Sequence, residues 1–172
     1  MAYVEHSDVA GVVPQQNLVN GLDDAGAASS YPELWADAQE AAGGGRPPSD
    51  KTKAAKLAVF LATWASVQKA AINRVHAPLE GRFPLPFAAP YPAVVQRAAL
   101  LFACELVYSR RGVKGKDNPH EAAANDTETI LQEIGQGKRP ISARVSAVPG
   151  AGGVIADTPS LTTAREGSTL MV

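Results

Sequence analysis

The sequence predicts an all-α protein: about four main helices gathered in a bundle centred on a helical hairpin, with an extended C-terminal arm. Three observations carry that expectation. Between residues 51 and 109, two long apolar patterns recur at three- and four-residue steps, the spacing of a helix face rather than a strand. They are joined by residues 80–92, which include Pro84, Pro86, Pro90 and Pro92, a connection too proline-rich for helix and stiff enough to hold a fixed turn. Beyond Ile141 there is no aromatic residue, so residues 141–172 cannot bury enough apolar surface to fold alone.

Residues 1–20 offer one short helix, from position 7 or 8 to 13, stopped before Pro14 and apolar at Val9, Val12 and Val13. Residues 21–50 read as an insertion or linker around a second short helix, which has Pro32 in its first turn and ends at Gly43-Gly44-Gly45. Leu34, Trp35 and Ala38 form its narrow apolar stripe. A helix this short is marginal in water, so Trp35 must be anchored, either on the parent core or on a neighbouring subunit. Ser49-Asp50 is a good N-cap pair for the first long helix. That helix presents Leu57, Phe60, Leu61, Trp64, Val67, Ala71, Val75 and Leu79 as one stripe and is ended by Pro78 and Gly81.

Pro92 opens the second long helix, where Val94, Ala98, Leu101, Phe102, Glu105 and Leu106 repeat at helical steps up to Ser109. After a polar turn, residues 119–134 form an amphipathic cover with Ala123, Thr127, Ile130, Leu131 and Ile134 on one face. Gly135 and Gly137 supply its stop, and Lys138 and Arg139 sit at the negative end of its dipole. The expected organisation is a helical domain over 1–140 and an arm, extended or disordered, over 141–172. Apolar points along the arm are Val145, Val148, Val154, Ile155, Leu161, Leu170 and Val172.

Net charge is −1, but it is unevenly spread. Residues 1–50 carry eight acids against Arg46 alone, whereas residues 51–116 carry eleven bases against Glu80 and Glu105. Such halves either cover one another within a chain or attract their counterparts on neighbours, as in a head-to-tail ring. The bases, among them Arg82, Arg110 and Arg111, are spread over several helix faces without a recognition-helix pattern, which disfavours specific nucleic-acid readout. Weak contact with phosphates is what remains.

The search for chemistry points away from an enzyme. Gly43-Gly44-Gly45-Arg46 and Gly115-Lys116 both fail the spacing of a phosphate loop. His6, His76 and His120 lack ligand-spaced partners, Cys104 lies in an apolar helix as a small hydrophobe, and no nucleophile elbow occurs. No cofactor and no metal are expected. There is no signal-peptide pattern at the N-terminus, and the longest clean apolar run, residues 57–65, is far below the ~20 residues of a membrane span. A soluble chain with no membrane partner is the expectation.

Residues 80–86 (EGRFPLP), 91–108, and 121–141 with their Ile134-Gly-Gln-Gly-Lys138 segment carry a family resemblance. Together they resemble the small neck proteins of Mu-like and related tailed phages, and residues 7–14 resemble the opening helix of head-tail adaptor (connector) proteins. The resemblance covers the middle half of the chain and departs from the pattern at 21–48 and after Ile141. It implies a structural virion protein at the head-tail interface, assembled in the host cytoplasm. The implied assembly is a ring, a dodecamer matching the portal, that binds the portal protein and a downstream neck or tail-terminator protein and lets double-stranded DNA pass. Under that reading Trp35, Arg82, Phe83, Leu85, Phe87, Arg110 and Arg111 are subunit or partner contacts, the loop residues being held outward by their prolines. The other reading of the loop aromatics is that they close the end of the core, and at least one of them is expected to do so. The arm is the portal contact, and acids of the 121–133 helix line the lumen. A small-terminase-like DNA-binding packaging protein and a tail-completion protein are the alternatives.

Overall fold

The computed structural model describes residues 3–24, 26, 33–46 and 48–142. It is all-helical: α1 (His6–Ala10), α2 (Gln15–Leu22), α3 (Leu34–Ala42), α4 (Lys51–His76), α5 (Ala93–Ser109) and α6 (Glu121–Gly135), with a 3-10 turn at Gly115–Asp117. No strand occurs among the described residues.

α4 starts where the N-cap predicts. The Asp50 carboxylate accepts hydrogen bonds from the Thr52 and Lys53 N–H groups at 2.7 and 3.0 Å, satisfying two of the donors a helix start leaves open. Its stripe of Leu57, Phe60, Trp64, Val67, Ala71 and Val75 is buried, with Leu79 in the turn beyond it. Leu61 is half-buried at the stripe's edge. α5 is apolar on nearly every side. Val94, Val95, Ala98, Ala99, Leu101, Phe102, Ala103, Cys104 and Val107 are all buried, as an axial helix wrapped by others requires. α4 and α6 pack along it, α1 and α2 cover another side, and α3 lies on α4.

The helical hairpin therefore sits at the centre, as the proline-joined pair of patterns implies. α6 buries Ala124, Thr127, Leu131 and Ile134. Ala123 and Ile130, expected on that face, flank it half-buried.

The N-terminal third differs from the expectation. α1 ends at Ala10, and Val13 reaches the core through a turn in which its N–H donates to the Val9 carbonyl at 2.8 Å. Pro14 does more than stop a helix. It is the N-cap of α2, a helix the sequence reading omits, which buries Leu18 and Leu22. Gly21 permits its approach to α5: a Cβ there would stand 2.5 Å from Val107 Cγ1 and 2.7 Å from the Val107 carbonyl oxygen.

Two side-chain clusters tie the helices together. Arg74 of α4 pairs with Glu105 of α5 at 3.1 Å and with Glu128 of α6 at 2.6 Å. Its guanidinium also lies 4.4 Å from the centre of the Phe102 ring. At the other cluster, the end of α2 presents carbonyls that its own helix cannot satisfy. Arg110 Nε donates to the Gly21 carbonyl at 3.3 Å, and Arg111 donates to the carbonyls of Asn20 and Asp23. Two cations thus cap the negative end of a helix dipole.

A candidate contact site at the proline loop

The turn after α4 and the loop 80–92 form one end of the bundle. Phe83, Leu85 and Phe87 do not project into solvent, as the outward-held loop would have it; they are half-buried against the core. The reason is apolar area: the hairpin's end leaves ring and aliphatic surface that only the loop is placed to cover. Phe83 and Phe87 meet tilted at 6.0 Å between ring centres, and Phe87 lies 6.4 Å from Tyr3. Arg82 is exposed, its guanidinium 5.8 Å from the Phe83 ring centre. The bonds preceding Pro86 and Pro90 are cis.

Tyr3 locks this end. Its ring meets Tyr91 edge-on at 4.8 Å and His76 at 5.4 Å. The Phe87 N–H donates to the Tyr3 hydroxyl at 2.8 Å, and that hydroxyl lies 2.8 Å from His76 Nε2. Burial lowers the His76 pKa, and the Glu80 carboxylate opposes it only in part. The Tyr3 hydroxyl and His76 Nε2 thus share one hydrogen bond, which ties the loop to the end of α4. Next to this lock opens a pocket of ≈ 470 Å³ lined by Asn73, His76, Ala77, Glu80, Phe83 and Leu85. Ala77, Phe83 and Leu85 give it apolar carbon, beside the amide of Asn73, the imidazole of His76 and the carboxylate of Glu80.

The C-terminal end of α6 meets the same pole. Gly135 lies so close to the Pro78 carbonyl that a Cβ has no room, and Gly137, at φ +80°, lies under the Arg82 guanidinium. The structure brings Arg82, Phe83, Leu85 and Phe87 together. Trp35 is elsewhere: it is 8% exposed and stands edge-on to Phe60 at 6.4 Å, so the parent core covers its indole. Arg110 and Arg111 are occupied by the α2 carbonyls and by Asp24, at 2.5 and 3.9 Å. Desolvation would raise the Asp24 pKa, but hydrogen bonds from Arg110 and Thr63 and the charges of Arg110 and Arg111 hold it below the usual carboxylate range. With Lys53 on Glu33 at 3.2 Å, acidic and basic halves pair within the chain at these points. The arm residues Val145, Val148, Val154, Ile155, Leu161, Leu170 and Val172 lie outside the described residues.

The α6 acids have partners within the chain. Glu121 accepts from the Gly115 N–H at 2.6 Å, Glu128 holds Arg74, and Glu133 pairs with Arg139, leaving Asp126 exposed. Cys104 is fully buried, which pushes its pKa up to about 12. Tyr3, Tyr91 and His76 are the members of the site that sequence reasoning missed. Proximity of residues 3 and 76 has no local signal. Among the described residues no group of three His, Cys, Asp or Glu side chains is placed to hold a metal, and no helix is long and apolar enough to cross a membrane. No family model, no curated protein and no solved structure matches the chain.

Proposed function

We propose that this chain is a structural head-tail adaptor of a tailed phage or prophage, a passive building block that forms a ring below the portal and catalyses nothing. Copies stand side by side around a channel through which duplex DNA passes, one face toward the portal and the other toward a neck or tail-terminator protein. One observation carries the reading: residues 80–86, the core of the family resemblance, are the braced tip of the central hairpin, and the α6 end from which the arm departs packs on that tip. A pole that combines a stiff loop with the root of a long arm is suited to joining one ring to the next. Arg82 is the exposed cation of that tip, and Phe83, Leu85 and Phe87 give it shape rather than reach. Trp35, Arg110 and Arg111 contribute by holding the subunit together.

The test is sedimentation of the purified protein alone and with portal complexes, followed by negative-stain imaging. Rings, or portals carrying an added layer of density, are expected. A protein that stays monomeric beside portals, or that binds duplex DNA tightly in a salt-sensitive gel shift, would overturn the adaptor reading.

A further inference from the structure

The pocket lined by Asn73, His76, Ala77, Glu80, Phe83 and Leu85 has the chemistry of a seat for a cationic side chain on an aliphatic stem. Glu80 supplies a carboxylate and Asn73 an amide oxygen, while Ala77, Phe83 and Leu85 supply apolar wall. His76 adds an imidazole edge to the lining. A guanidinium over an aromatic face, its stem on aliphatic carbon, is a favourable arrangement.

The described chain ends at Ser142, and Gly137 already lies against Arg82, next to the pocket residue Phe83. Arg144 lies seven positions beyond Gly137, a reach of up to about 24 Å at ~3.4 Å per residue. Arg144 is the first cation after Arg139 and is followed by Val145 and Val148. In an extended chain, positions 144 and 148 face the same side.

We propose that the pocket is the docking seat of the chain's own segment 143–148, with Arg144 on Glu80 and Asn73 and Val148 over Phe83 and Leu85. The root of the arm is thereby fixed to the domain. The inference stands apart from the adaptor reading, since a monomer of any function could carry such a seat.

Tryptic cleavage of the intact chain after Arg144, timed by mass spectrometry, tests it, because a docked bond is cut only when it opens. Cleavage after Arg165 serves as the control that docking does not touch. Glu80→Arg turns one attraction into a repulsion and should speed the Arg144 cut about tenfold, while Asn73→Asp adds a carboxylate and should slow it about threefold. The Arg165 cut should hold its rate in both variants, and the Arg144 rate should not depend on protein concentration. An Arg144 rate that is equal in all three proteins overturns the proposal. So does protection that disappears on dilution, which would put the segment on another copy.

Discussion

His120 shows how a single residue sets the acid side of stability. It is buried at the start of α6, its ring 5.5 Å from Tyr108, and its Nδ1 has no hydrogen-bond partner. Burial lowers its pKa below the ordinary 6.5. The unfolded chain then binds a proton that the folded chain refuses, so the contribution is fully present above pH ~6.5 and is lost as pH falls through the folded value. Melting temperature should therefore drop between pH 7 and 5. In His120→Leu the drop should be clearly smaller, with His76, also lowered by burial, accounting for part of what remains. An unchanged slope in scanning calorimetry would show that His120 is not the group responsible. Gly21 makes the opposite point about reading residues locally. Helix propensity alone says that Gly21→Ala stabilises α2 by about 1 kcal/mol. The added methyl would instead press on the Val107 backbone oxygen, which cannot turn away, and overpacking of this kind costs about 1–3 kcal/mol. The variant should melt several degrees lower.

At the scale of elements, what could be read depended on whether a helix carries its own reasons. α4 and α5 do: an N-cap, a long apolar period and proline at the boundaries are all local, and the hairpin follows from them. α3 is legible for the same reason, with its apolar stripe and glycine stop. α2 has only Leu18, Val19 and Leu22 in eight residues, and Gly21 counts against it. Its support arrives from far along the chain, in the guanidinium groups of Arg110 and Arg111 on the Asn20, Gly21 and Asp23 carbonyls. No window of sequence around residue 18 contains that information. The dependence can be measured. Replacing Arg110 and Arg111 together by Ala should raise amide exchange across residues 15–22 by about an order of magnitude or more, in line with loss of charge-assisted hydrogen bonds. The central amides of α4 and α5 should keep their protection. Uniform loss over all helices would mean that α2 unfolds only with the whole domain.

For the molecule as a whole, the uneven charge suggested attraction between copies, yet the structure uses part of it inside one chain, through Lys53–Glu33 and through Asp24 with Arg110 and Arg111. The candidate site was half legible for a similar reason. Prolines and aromatics in 80–87 marked a distinct loop, but its direction depends on how much core is left uncovered, a property of all the helices at once. The same logic separates the two parts of the arm. If residues 143–148 sit in the pocket, removing 150–172 should leave melting temperature and helical circular dichroism unchanged. Removing 143–172 should lower melting by about 2–4 °C, the shift expected for ~1 kcal/mol in a domain of this size, with helicity retained. Both truncations should lose portal binding under the adaptor reading, since both lack Val154, Ile155, Leu161, Leu170 and Val172. Collapse of the helical signal in the longer deletion would make the arm part of the fold, and portal binding by the shorter one would confine the contact to the helical domain.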